Sequence, residues 1–119
     1  MTEPRVYLVV NKALKLKAGK LAAQAAHAGH LLEKKVQQGW STLSEDKQKL
    51  FKLWDEGSYA KIVLGANESE FKTLRSQNSA YIEVVDEGRT QIPKGSCTVL
   101  VWFPSVESPL DLKDLKLLN

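Results

Sequence analysis

Four short apolar runs recur along the chain, and each is separated from the next by a more polar segment. The runs are rich in Val, Ile and aromatic residues, a composition that predicts β-strands. Three of them are almost continuously apolar, which is typical of strands in a sheet that helices cover on both faces. We predict strands at 5–10, 60–65, 80–85 and 97–103.

Three of the longer segments have the composition and apolar spacing of helices. We place these helices at 19–38, 45–56 and 68–77. Gly39 and Gly57 follow the first two, and glycine is a common residue just beyond a helix end.

Polar residues mark the points where the second and third helices begin. Ser44 is the predicted N-cap of the second helix, and Asn67 and Glu70 have the spacing of a capping box before the third. The pattern also allows a short last helix at 110–114.

The predicted elements follow one another in the order β-α-α-β-α-β-β. Helical crossovers join the first three strands, so these strands should run parallel. The connection over 86–96 is short for a parallel crossover, and the fourth strand is therefore expected to run antiparallel. We predict one α/β domain over 1–119, with a mixed four-stranded sheet and helices on both faces.

Composition and charge narrow the class of protein. The 119 residues carry a net charge of +3, and residues 1–40 hold seven Lys and Arg against two Glu. This basic first third favours a polyanionic partner, although a solubilising surface is the simpler alternative.

Cys97 is the one cysteine, which excludes an intrachain disulfide and favours a reducing compartment. The apolar run near the N-terminus is too short for a signal or a membrane span, so we expect a cytoplasmic protein.

Ligands of open α/β sheets bind beyond the carboxyl ends of the parallel strands. Two charged segments follow such ends, "NKALKLKAGK" after the first strand and "DEGRTQI" after the third. The first segment leads into a helix, whose free N–H groups and dipole would add to its positive charge and favour phosphate. It is not a P-loop, and a solvated basic loop is the alternative. Its lysines are Lys12, Lys15, Lys17 and Lys20.

The second segment combines residues that could form a site at the end of the third strand. Asp86 follows two valines, so the sheet should hold its backbone while its carboxylate faces the crevice. Gly88 permits a turn, Arg89 offers a planar fork to phosphate, and Thr90 could orient a water or bond to Asp86. The alternative is a capped turn with an ion pair between Asp86 and Arg89.

The first helix should place Lys20, Gln24 and His27 on one face, since they are spaced at i, i+4 and i+7. Gln24 and His27 could instead be ordinary polar residues that bond into packed strands. A metal site is not favoured, because His27 and His30 have no acidic or cysteine partner at the usual ligand spacing.

Three blocks of the sequence resemble the type 2 peptidyl-tRNA hydrolases. They are "LKLKAGKLAAQAAHA" at 14–28, "DEGRTQIPKGSCTVL" at 86–100 and "LDLKDLKLL" at 110–118, and the likeness spans nearly the whole chain. Two places depart from the family pattern. "NKAL" at 11–14 stands where an arginine and then an acidic residue are usual, and Lys17-Ala18 stands in place of glycine-lysine.

The resemblance implies a mixed four-stranded sheet flanked by helices. It also implies hydrolysis of the ester that joins a peptide to the 3′ end of tRNA, with no metal or cofactor. The family's catalytic roles fall on Lys20, Asp86 and Thr90. Asp86 would position or deprotonate the water, Lys20 would stabilise the oxyanion or a nearby phosphate, and Thr90 would orient Asp86 or the water.

Further residues receive binding and supporting roles. Lys12, Lys15, Lys17 and Arg89 are predicted to bind tRNA, and Gln24, His27 and Gly88 are predicted to support the site. Two other functions stay open: a non-catalytic tRNA- or ribosome-binding module, and an esterase for another acylated tRNA. A homodimer is also left open.

Overall fold

The computed structural model describes residues 3–87 and 95–119. The strands in these ranges are β1 (Val6–Asn11), β2 (Lys61–Ala66), β3 (Ile82–Val85), β4 (Cys97–Val101) and β5 (Lys116–Leu117). The α-helices are α1 (Ala18–Gln38), α2 (Glu45–Glu56) and α3 (Glu68–Gln77). Short 3₁₀ turns lie at Lys12–Leu14, Trp40–Thr42 and Leu110–Leu112.

The described strands form one mixed sheet in the order β3-β4-β1-β2-β5. β1 and β2 run parallel, and β4 is antiparallel to both of its neighbours, β1 and β3. The antiparallel fourth strand is therefore confirmed, and the single α/β domain has the expected mixed sheet.

The prediction of four strands is wrong by one short strand. β5 pairs with β2 through two residue pairs, Leu64 with Leu117 and Gly65 with Lys116. Two residues are too few to show the alternation that reveals a strand in a sequence. The last helix predicted at 110–114 is also shorter than expected, because only a 3₁₀ turn forms at Leu110–Leu112.

The predicted capping residues set the helix boundaries. The Ser44 hydroxyl accepts a hydrogen bond from the backbone N–H of Lys47, and α2 begins at Glu45, directly after Ser44. Asn67 and Glu70 form both bonds of a capping box at the start of α3. These bonds satisfy N–H groups that the first turn of a helix leaves free, so both helices begin at the predicted residues.

Helices cover both faces of the sheet, as the nearly continuous apolar strands predict. Val6, Leu8 and Val10 of β1 face the core formed with α1 and α2. Tyr7 and Val9 face the opposite core, which includes α3. Each fully buried Val or Leu contributes roughly 1.5–3 kcal/mol, and the two cores together fix the sheet edge beyond the ends of β1 and β3. Within the described ranges, no helix is both long and apolar enough to cross a bilayer.

Candidate active site

Asp86 lies directly after β3 and is only 4% exposed. Its backbone is held by the start of the neighbouring strand: its N–H donates to the carbonyl of Ser96, and its carbonyl accepts from the N–H of Gly95. Gly95 has a φ of 89°, a conformation that glycine adopts without strain. The sheet therefore fixes the position from which the Asp86 carboxylate projects.

Lys20 lies in the first turn of α1 and reaches this carboxylate. Its Nζ is 2.5 Å from Oδ1 of Asp86, and the two side chains are 12% and 2% exposed. Removing two charges from water costs several kcal/mol, which the attraction between them offsets only with good geometry and further hydrogen bonds. A buried pair of this kind therefore contributes little to stability by itself.

Gln24 follows Lys20 by about one helical turn and supplies a further hydrogen bond. Its Nε2 donates to Asp86 Oδ1 over 3.4 Å, while its Oε1 accepts a 2.6 Å bond from the hydroxyl of Thr98. The carboxylate requires a donor, so the amide nitrogen must face Asp86 and the amide oxygen must face Thr98. Gln24 and Thr98 are both buried. Thr98 holds the amide of Gln24, and Gln24 in turn holds Oδ1 of Asp86.

A β-bulge directs Thr98 towards α1. Val84 pairs with Val99 and Val85 pairs with Cys97, so Thr98 is the extra residue on β4. Bulges redirect side chains and are frequent beside active sites. The sequence does not reveal Thr98 as a site residue, because a threonine inside "CTVLV" is an ordinary strand residue and its register to β3 is not visible in the pattern.

The predicted basic segment lies at the same edge of the sheet. Asn11 caps the 3₁₀ turn by accepting from the N–H of Ala13, and it also donates to the carbonyl of Cys97 on β4. Lys15 then adopts a left-handed conformation with φ of 49°, and Lys17 is the N-cap residue of α1. Lys12, Lys15 and Lys17 are exposed, so their charges surround a helix start that has no acidic residue in its first turn.

His27 lies outside this network. The buried positions of α1 are Gln24, Ala28, Leu32 and Val36. Ala28 is small enough to pack flat against the sheet, and His27 beside it is exposed. His27 therefore does not share the buried face of Gln24, and its supporting role stays a prediction. Among the described residues no group of three His, Cys, Asp or Glu side chains could hold a metal ion.

The remaining predicted site residues, Gly88, Arg89 and Thr90, lie outside the described residues. Their roles stay predictions. The structure thus brings Lys20, Gln24 and Asp86 together, adds Thr98, and places three predicted tRNA-binding lysines at the same sheet edge.

The buried Cys97 is not a suitable nucleophile for this site. Burial raises the pKa of its thiol to about 11, although the nearby Arg75 acts in the opposite direction. The thiolate is the reactive form of cysteine, so Cys97 is inert near neutral pH. Within the described part of the chain, the carboxylate and ammonium groups of Asp86 and Lys20 are the polar groups best placed for chemistry.

One edge of the mixed α/β sheet thus carries a buried Lys–Asp pair and a basic helix start. The chain belongs to a family described as "Peptidyl-tRNA hydrolase PTH2", whose model matches residues 5–118.

Individual relatives come from eukaryotes and archaea. A probable peptidyl-tRNA hydrolase 2 of Dictyostelium discoideum is 35% identical over 118 residues, covering 92% of this chain and 52% of the relative. A protein of the same description from Caenorhabditis elegans is 34% identical, over 87% of this chain and 33% of the relative. The chain thus spans about half the length of the first of these proteins and about a third of the second. A peptidyl-tRNA hydrolase of the archaeon Thermococcus onnurineus is 33% identical, over 87% of this chain and 86% of that protein.

Proposed function

We propose that this protein hydrolyses the ester bond of peptidyl-tRNA, releasing the peptide and free tRNA for reuse. The observation that carries the proposal is the buried Lys20–Asp86 pair at the sheet edge, in a chain of this family. The reaction transfers an acyl group to water. It therefore needs a positioned water, stabilisation of a tetrahedral oxyanion and a leaving ribose hydroxyl.

Asp86 holds the attacking water in this mechanism. The ammonium group of Lys20 favours the ionised carboxylate, so Asp86 is better suited to orient a water than to compete strongly for its proton. Gln24 keeps Oδ1 in place, and Thr98 keeps Gln24 in place. We assign Thr90 to orienting Asp86 or the water, as the family resemblance implies.

Lys20 stabilises the charge that develops on the carbonyl oxygen or on the adjacent phosphate. Preorganised donors aimed at a developing oxyanion commonly contribute about 10²- to 10³-fold in rate. Lys20 is already held by Asp86, so it needs little reorganisation when the substrate arrives.

The tRNA backbone binds to the basic edge in this proposal. Lys12, Lys15, Lys17 and Arg89 contact phosphates, and the N–H groups at the start of α1 add to the positive potential. Each neutralised phosphate should contribute about −0.7 to −0.9 to the slope of log K against log salt concentration. We place the protein in the cytoplasm with its substrate, and a homodimer stays a prediction.

One experiment separates the three functions considered. Purified protein is incubated with N-acetyl-aminoacyl-tRNA and with plain aminoacyl-tRNA, and the release of free acid is followed. We expect rapid hydrolysis of the N-blocked substrate and slow hydrolysis of the other. Faster cleavage of the plain substrate would instead indicate an esterase for another acylated tRNA. Tight binding of both without cleavage would indicate a non-catalytic module.

A further inference from the structure

Gly65 of β2 lies under the side chain of Lys12. A Cβ atom added at Gly65 would be 2.7 Å from Cδ and 3.2 Å from Cγ of Lys12. Real Cβ atoms essentially never lie within 3.0 Å of another heavy atom, so a Cβ at Gly65 would make the flexible side chain of Lys12 shift. The aliphatic part of Lys12 thus rests directly on the glycine. A glycine inside a strand often marks such a close approach.

Leu118 contacts the same spot. Its Cδ1 would be 3.1 Å from the added Cβ, and its N–H donates to the carbonyl of Val63. The β5 strand just before it pairs Lys116 with Gly65. Gly65 and Leu118 therefore form an apolar seat for the stem of Lys12, and long cationic side chains commonly pack their stems while the charged end stays in water.

The seat is well separated from the Lys20–Asp86 pair. Asp86 follows β3, whereas Gly65 is on β2, and β4 and β1 lie between these strands. Three strand spacings correspond to about 14 Å. The stem of Lys12 lies over β2, on the side of β1 away from β3.

Lys12 is also available to bind an anion. It is exposed, and within residues 3–87 and 95–119 it forms no ion pair with an acidic side chain. We propose that Gly65 and Leu118 are positioning residues that hold Lys12 against a tRNA phosphate remote from the ester. This inference rests on the proposed function, since it assumes that tRNA binds along this edge.

A double-mutant cycle tests the proposal. Binding of deacylated tRNA is measured over a range of salt concentrations for the wild type, Lys12→Ala, Gly65→Ala and the double variant. Lys12→Ala should lower the magnitude of the salt slope by about 0.7–0.9, as expected for one lost phosphate contact. Gly65→Ala should lower it comparably, although it removes no charge. The double variant should match Lys12→Ala in its salt slope, because the other side chain that the added methyl group contacts, Leu118, is apolar and carries no charge to the tRNA.

Kinetics and stability provide the controls. With N-acetyl-aminoacyl-tRNA, both single variants should raise KM and change kcat little, since the seat is remote from the ester. Gly29→Ala is the matched glycine control, because a Cβ there makes only an ordinary 3.7 Å contact with Lys61 Cε. If Gly65→Ala fails to fold, the double variant removes the clash with the Lys12 stem, and recovery of its folding identifies that stem as the obstacle.

Three outcomes would overturn the proposal. The first is an unchanged salt slope and KM in folded Gly65→Ala. The second is an effect of Gly65→Ala that persists in full when Lys12 is already alanine. The third is a wild-type protein that does not bind tRNA. By contrast, a wild type that binds tRNA and gives the expected cycle, yet never cleaves the ester, would contradict only the proposed function.

Discussion

Two carboxylates in or just after β3 pair with cations on different helices. Glu83 accepts from Arg75 of α3 in a two-pronged arrangement, with distances of 3.0 and 3.3 Å. Asp86 pairs with Lys20 of α1. The side chains of Arg75 and Glu83 are 47% and 37% exposed, whereas those of Lys20 and Asp86 are 12% and 2% exposed.

The difference in burial gives the two pairs different uses. An exposed pair keeps most of its hydration, gains little and typically contributes 0–1 kcal/mol. The buried pair loses hydration, so it depends on further hydrogen bonds. Gln24 donates one to Asp86, and Thr98 holds Gln24 in place by donating to its amide oxygen. One strand therefore carries a surface contact that can be removed at little cost and a network in which each member supports the next.

The largest expected effect comes from breaking the buried pair. Asp86→Asn should slow hydrolysis of N-acetyl-aminoacyl-tRNA by about 10²-fold or more while tRNA affinity is kept. The change is nearly isosteric, but it leaves the ammonium group of Lys20 without its counter-charge. Single-turnover rates at saturating enzyme, corrected for the folded fraction, provide the measurement.

Removing both charges separates catalysis from stability. The double variant Lys20→Met with Asp86→Asn should be more stable than Asp86→Asn alone and should stay inactive. Hydrolysis at the wild-type rate by folded Asp86→Asn would falsify the catalytic assignment and leave Asp86 as a structural partner of Lys20.

The second prediction concerns the pKa of Cys97, a buried thiol close to the exposed pair of Arg75 and Glu83. Its folded pKa of about 11 lies above the ordinary value of 9.0, so the folded state favours the neutral thiol. The neutral thiol therefore adds to the free energy of unfolding. This stabilisation is fully present below about pH 9 and is lost as the pH rises through about 11, which lowers the free energy of unfolding by roughly 2–3 kcal/mol. Urea unfolding at about pH 8 and about pH 10.5 checks it, with Cys97→Ala as the reference, because Tyr and Lys also titrate in that range. Equal pH dependence in both proteins would show that Cys97 is not shielded from water.

The third prediction concerns the hydroxyl of Thr98, which lies at the end of the buried network farthest from Lys20. Thr98→Val keeps the side-chain shape but leaves Oε1 of Gln24 buried without its donor. We expect a loss of about 1–2 kcal/mol in the free energy of unfolding. We also expect kcat to fall by less than in Asp86→Asn, since Asp86 keeps its charge. Thr98→Ser retains the hydroxyl and should recover most of kcat; failure of that rescue would assign Thr98 to packing alone.

The smallest effect is expected at the exposed pair. Arg75→Ala should cost under about 1 kcal/mol in the free energy of unfolding and leave kcat and KM unchanged. This variant is the matched control for Asp86→Asn, because each breaks one ion pair at β3. A drop in hydrolysis comparable to that of Asp86→Asn would show that the two pairs are coupled through the strand.

The sequence predicts most of the fold because local patterns determine the elements. The Asn67–Glu70 capping box and the Ser44 cap define helix starts within a few residues, and both are found where expected. β5 was missed because its two residues are a strand only through their pairing with β2. A partner strand, unlike a cap, has no signature in the neighbouring residues.

The candidate site, like the fold, was predictable only in part. Lys20 and Asp86 were assigned from the family resemblance, and the topology independently placed both segments at one edge. Thr98 could not be found, since the bulge that directs it depends on the register between β3 and β4. His27 was grouped with Gln24 because helical spacing gives a broad face, whereas the small Ala28 decides which part of that face is buried.

The central place of β1 in the sheet has a consequence for how the chain folds. β1 is synthesised before the other described strands, and it pairs with β4, where Val10 lies opposite Val99. Contacts so distant in sequence form slowly, because a long loop must close before they are gained. Gln24 and Thr98 are 74 positions apart, so the candidate site is assembled only after β4 has emerged from the ribosome. Until then β1 has an open, strongly apolar edge, and a chain interrupted before β4 is expected to aggregate rather than to accumulate as a partly active fragment.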